Sequence, residues 1–219
     1  MTSLDSSAGV FSWLFCVVSL LVVVWATVTA QWRALIGVPV RQHLWLGAGV
    51  LIAVFWSIVK LPVTAQIQLH PLLLTSATLI FGLRLALVLG ALAVLLNATL
   101  VGVELRALPF NYLLVVVPAV CTSKALLLMI EKARWQNLFV YTLGGGFVGG
   151  MLSMLSVAAC SLMGLWLCSR SDFDLLWPNS YVFLLLLFPE GFCNGTIVSA
   201  LAILLPNLVK TYDEDFYLK

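Results

Sequence analysis

This sequence has little charge. Lysine, arginine, aspartate and glutamate together make up 9% of its 219 residues, where an ordinary soluble domain carries about 25%. Histidine is scarcer, with two copies. A formal net charge of +2, with no basic stripe, leaves no footprint for nucleic acid. Signatures of common chemistries are missing as well. There is no G-x-S-x-G elbow, no H-E-x-x-H helix and no aspartate pair inside an apolar run, which argues against an enzyme. There is no G-x-x-x-x-G-K-[ST] loop, so any coupling to ATP requires separate subunits. The five cysteines (Cys16, Cys121, Cys160, Cys168 and Cys193) sit in or at the ends of apolar runs and form no C-x-x-C. That pattern reads as small apolar filler rather than a metal knot or a disulfide framework.

What is present is hydrophobic: 63% of the chain. A bilayer-crossing helix needs about 20 apolar residues, within a range of about 17–25. Runs of that kind fall near 10–29, 43–59, 69–82, 85–102, 107–130, 137–168 and 177–209. The fold class expected is an all-α integral membrane protein of about seven transmembrane helices, a single polytopic domain over 1–219 surrounded by membrane lipid. The junction Phe81-Gly82-Leu83-Arg84 separates the third and fourth runs, which would otherwise merge into one overlong helix. The opening MTSLDSS has no positive n-region, and the apolar run after it exceeds the usual signal-peptide core of about 7–15 residues, so the first span is read as uncleaved.

Loop cations alternate. Arg33, Arg41, Arg84, Lys132, Arg134, Lys210 and Lys219 fall on one side, and only Lys60, Arg106 and Arg170 on the other, the last beside Asp172 and Asp174. The positive-inside rule places the N-terminus outside and the C-terminus in the cytoplasm. Gly144–Gly150 holds two overlapping G-x-x-x-G pairs, and Gly191 with Gly195 makes another, spacings that let helix backbones approach closely. They suit packing within the chain or a dimer seam. Trp45, Trp135, Trp177 and Tyr181 lie near span ends, where aromatic anchors belong. The tail TYDEDFYLK reads as a cytoplasmic end-cap or a partner-docking peptide.

Within the spans, His70, Asn97, Asn111, Lys124, Glu190 and Asn194 are conspicuous. Intramembrane ionisable groups face the bundle interior and pair with something, or mark a functional path. At about 1.5 Å rise per residue, Glu190 and Lys124 fall at similar depth. Two readings of Glu190 stand: a structural ion pair with Lys124, or a place on an ion path. Lys124 has a further option, to snorkel to the cytoplasmic face. The asparagines suit interhelical hydrogen bonds. His70 is expected to open a helix near the outer surface, with Thr75 and Thr78 on much the same face. Its imidazole suits a borderline transition metal or, equally, an interfacial hydrogen bond. His43, beside Arg41, reads as interfacial.

The stretch from His70 to Asn111, HPLLLTSATLIFG followed by LPFNYLL, with the Glu190-Gly191 element, resembles the CbiM family, the membrane substrate-binding component of cobalt and nickel energy-coupling factor transporters. WRALIGVPVRQHLWLGA, LFVY before a glycine-rich run, FPEGFCNG and the TYDEDFYL ending resemble its stand-alone bacterial branch. The likeness covers roughly residues 32–219. It implies a multi-pass protein of the bacterial cytoplasmic membrane that takes up a divalent transition metal as substrate, with separate transmembrane and ATP-hydrolysing subunits as partners; no cofactor is assigned from the sequence. His70 would bind the metal from outside, with Asn111, Glu190 and Asn97 lining the pocket or ion path. In that family the N-terminal amine and a second-position histidine complete the ligand set. Here the chain begins Met1-Thr2-Ser3-Leu4-Asp5, which leaves a second expectation, a non-transporting accessory or assembly subunit.

Overall fold

The structure, a computed structural model, describes residues 9–63 and 68–217, with side chains from Trp13 onward. The Met1–Asp5 departure and Lys219 lie outside the described residues. Apart from one two-stranded hairpin, the regular elements are helical. In chain order they are α1 (Gly9–Thr29), α2 (Trp32–Ile36), α3 (Pro39–Ile58), β1 (Leu61–Pro62), β2 (Gln68–Leu69), α4 (Leu74–Phe81) and α5 (Leu83–Val101). Then follow α6 (Leu105–Lys132) and α7 (Val140–Cys168), and α8 (Arg170–Leu176), α9 (Tyr181–Leu204) and α10 (Glu214–Tyr217). The strands pair antiparallel, Leu61 with Leu69 and Pro62 with Gln68.

Among the described residues, α5, α6, α7 and α9 are long and apolar enough to cross a membrane. Large apolar side chains stay exposed on their outer faces and on α1, including Leu20, Val28, Leu184 and Phe188. Exposure of that kind suits lipid, which is as apolar as leucine and gives no penalty for it. Two long helices contain wide turns: Tyr112–Val116 in α6, just after Asn111, and Val140–Val148 in α7, across the glycine run.

The third apolar run departs from the expected span. Helix occupies only Leu74–Phe81, about 12 Å at 1.5 Å per residue, against a hydrocarbon core of about 30 Å. His70 therefore does not open a helix. It lies in an extended lead-in that ends at Leu73, whose φ of 58° is left-handed. Thr75 and Thr78 share no helical face with it: Thr78 bonds the carbonyl of Leu74 in its own helix. Leu73 carries no turn signature, so the leucine run hides the break. The opposite break is at Gly82, with φ 84°, a conformation that favours glycine.

A half-helix buried among other helices needs partners for its terminal backbone groups, and all eight residues of α4 are buried. Its C-terminal carbonyls receive the tail. The Lys210 amide donates to Ile80 O at 2.9 Å and the Thr211 amide to Leu79 O at 3.3 Å. The Thr211 hydroxyl adds a bond to Leu79 O at 2.7 Å, and lies 2.8 Å from the Tyr141 hydroxyl. Tyr141, Tyr212 and Tyr217 then stack around that anchor. The tail thus acts as an end-cap.

The glycines form a seam inside the chain, between α7 and α9. A β-carbon on Gly146 would stand 3.1 Å from the Gly195 α-carbon, and one on Gly150 only 2.9 Å from Glu190 O. Gly145 and Gly149, the other expected pair, face side chains instead, at 3.8 Å and 3.3 Å. Trp135, Trp177 and Tyr181 are exposed as anchors should be, but Trp45 is buried and donates its indole N–H to Leu85 O. It is a packing residue between α3 and α5.

Candidate functional site

The break before α4 opens an interior cavity of about 50 Å³, room for one or two water-sized occupants. Elements from most of the bundle line it: Trp56 of α3, His70 and Leu72 of the lead-in, Asn111 of α6, and Met154 and Ser161 of α7. Two of the expected residues, His70 and Asn111, therefore meet there. The His70 ring stacks on Trp56, centroids 4.6 Å apart, while the Trp56 indole N–H holds Leu72 O. His70 Nδ1 lies 3.3 Å from Pro71 O. A carbonyl can only accept, so this contact is a hydrogen bond in the tautomer with the proton on Nδ1, which leaves the Nε2 lone pair for a metal ion. Asn111 is buried, and its Nδ2 has no hydrogen-bond partner among the described residues. An unpaired amide on a cavity wall has capacity left for an occupant, by Nδ2 as it stands or by the oxygen after rotation.

Glu190 and Asn194 lie outside this lining, and their geometry answers why FPEGFCNG is polar. Glu190 Oε2 accepts the Leu72 amide at 2.5 Å and Oε1 accepts the Leu73 amide at 2.9 Å. One turn along α9, Asn194 Oδ1 accepts the Ser76 amide and hydroxyl, both at 2.7 Å. Asn194 Nδ2 donates to Glu190 Oε1 at 2.7 Å and to Glu190 O at 2.8 Å. The pair caps the N-terminus of α4 from another helix, placing a carboxylate at the positive end of its dipole. It also fixes the lead-in that carries His70.

The expected ion pair between Glu190 and Lys124 is not what the carboxylate makes. Backbone amides and an amide side chain take its oxygens. Lys124 is half-exposed on α6 and makes no salt bridge among the described residues. Asn97 is buried on α5 but is not among the residues lining the cavity. Sequence reading passed over Met154 and Ser161, which look like any residues of an apolar run, and over a buried hydroxyl triangle. Thr75, Ser123 and Ser153 stand 2.8–2.9 Å from one another, tying α4 to α6 and α7. Among the described residues no three of histidine, cysteine, aspartate and glutamate converge as metal ligands. All five cysteines are free.

Fold and cavity together define a multi-pass helical membrane protein built around a buried half-helix, with one imidazole and one unpaired amide on its inner wall. The family described as cobalt uptake substrate-specific transmembrane region, CbiM, matches residues 7–208, and the chain belongs to that family. It is thus a membrane component of the cobalt-uptake class, a transporter family rather than an enzyme family. No curated protein and no solved structure matches the chain.

Proposed function

We propose that this protein is the ion-binding membrane component of a transition-metal uptake system, taking cobalt or nickel from the outer side at the cavity of His70 and Asn111. The observation that carries this reading is the meeting of His70 and the unpaired Asn111 amide on the lining of one cavity. His70 supplies the one nitrogen ligand, and the Asn111 oxygen, the Met154 thioether, Ser161 or water fill further positions. Glu190 and Asn194 act as positioning residues through the lead-in. Separate subunits supply ATP hydrolysis. His70→Ala is expected to weaken metal-dependent uptake by at least about tenfold, by comparison with losses of outer-shell partners, with membrane insertion unchanged. His43→Ala, at an exposed position, leaves uptake intact. Normal uptake by His70→Ala overturns the assignment.

A second reading follows from the single imidazole and the lack of a three-ligand cluster among the described residues: an accessory subunit that stabilises a complex without carrying the ion. Elemental analysis of the chain purified with its co-purifying subunits separates the two, since only the carrier holds metal that His70→Ala releases.

The orientation proposed is seven passes of the membrane, α4 with its lead-in counted as one, with the tail in the cytoplasm. In a cysteine-free background, an impermeant thiol reagent is expected to label Asp174→Cys in intact cells and Asp213→Cys only after permeabilisation. The reverse pattern would put His70 on the wrong side for uptake.

A further inference from the structure

At the end of the bundle where the tail docks, cations gather with no carboxylate in ion-pair contact among the described residues. Arg41 lies in the first turn of α3 and Arg84 in the first turn of α5. The Lys210 side chain lies over Gly82, where a β-carbon would come within 3.3 Å of its ammonium. Arg41 and Lys210 together line a shallow pocket floored by Leu35, Ile80, Phe81 and Leu208. The one salt bridge among the described residues, Arg170 with Asp174, is elsewhere, in α8. Among the described residues no carboxylate therefore lies within 4.0 Å of these three cations.

Their positions are fixed. Arg41 donates to Asn207 O, Arg84 donates to Thr29 O at 2.7 Å and stacks over Trp25, and the Lys210 backbone is held on Ile80. Carbonyl partners orient a guanidinium without neutralising it, and each arginine keeps further N–H donors. The first turns of α3 and α5 add the positive ends of two helix dipoles. Burial, then Arg84, Arg41 and Lys124, lower the Lys210 pKa from its ordinary value. Near these cations in the sequence, Ile36, Val38, Ile203, Leu204 and Leu205 are exposed, an apolar border.

We infer that Arg41, Arg84 and Lys210 form a binding site for a phosphate group. Guanidinium forks match phosphate oxygens in pairs, and Lys210 adds point charge. The apolar border suits a phosphate carried on acyl chains, as in an anionic phospholipid, and free phosphate presents the same oxygens. A bound anion would draw together α3, α5 and the tail that caps the C-terminal end of α4.

The full-length chain, reconstituted in nanodiscs of phosphatidylcholine with a minor fraction of phosphatidylglycerol, tests this by native mass spectrometry and thermal unfolding. Selective retention of phosphatidylglycerol is expected, weakened about fivefold by each of Lys210→Gln and Arg84→Gln, the scale of one basic residue at an anionic surface. Arg84→Lys retains it, which separates lost charge from lost folding. Lys132→Gln, a cation outside the cluster, leaves it unchanged. Inorganic phosphate added to pure phosphatidylcholine discs distinguishes the source. A midpoint shift that Lys210→Gln abolishes identifies free phosphate, and a shift with phosphatidylglycerol alone identifies the lipid. No preference for either anion, or equal loss with Lys132→Gln, overturns the site.

Discussion

Glu190→Ala is expected to destabilise the folded protein by on the order of 3 kcal/mol or more, because each buried donor left unpaired costs about 1–3 kcal/mol. Three donors lose an acceptor together: the amides of Leu72 and Leu73 and Asn194 Nδ2. Water does not reach them, since Glu190 and Asn194 are both fully buried. Glu190→Gln keeps one acceptor oxygen but turns an NH₂ toward the second amide, so its loss is smaller. Lys124→Met changes stability little, because no carboxylate depends on it. Thermal unfolding of the three variants in one detergent ranks them. Equal costs for Lys124→Met and Glu190→Ala would restore the ion pair as the reason for the acid. Wild-type stability in Glu190→Ala would leave the α4 cap without energetic weight. Uptake in Glu190→Gln is expected to fall with stability, since the lead-in bearing His70 loosens as one amide is released.

That the carboxylate faces protein follows from the sequence, and its partner does not. A charge in an apolar run implies a burial solution, and the only cation at similar depth, Lys124, was the visible candidate. Backbone amides carry no letter in the sequence. Leu72 and Leu73 donate only because the chain breaks its helix there, and the break falls in PLLLT, where nothing marks a left-handed residue. The other end of the same half-helix was legible, since Gly82 interrupts the run where a glycine conformation is needed. The meeting of His70 and Asn111 was readable from the family resemblance, with the lining from Met154 and Ser161 hidden by helical repeat positions that look like any others. Charge alternation likewise marked Arg41, Arg84 and Lys210 as one side of the membrane without showing that Arg41 and Lys210 line a single pocket.

Within the glycine run of α7, two neighbouring alanine substitutions are expected to differ in sign. At Gly145 a β-carbon would meet its nearest atoms, on Leu79 and Ile130, at 3.8 and 3.9 Å, ordinary contact. Gly145→Ala should then be neutral or gain up to about 1 kcal/mol from helix propensity. At Gly150 the β-carbon would stand 2.9 Å from Glu190 O and 3.1 Å from the Gly191 α-carbon. Both are backbone atoms of α9 and cannot rotate away, so Gly150→Ala should cost about 1–3 kcal/mol as overpacking, and Gly150→Leu more. Gly191→Ala meets Phe147 O at 2.8 Å from the other side of the seam and should behave like Gly150→Ala. Gly47→Ala, with nothing within 4 Å, serves as the tolerant control in a different helix. The damage at Gly150 also has a direction. Pushing α9 away at Glu190 withdraws the cap from Leu72 and Leu73, so Gly150→Leu should lose metal-dependent uptake along with stability, while Gly145→Ala keeps both. Thermal midpoints paired with uptake in cells read the two effects side by side. If Gly145→Ala and Gly150→Ala prove equally tolerated, the close approach of α7 and α9 is not what holds Glu190 against the lead-in of α4.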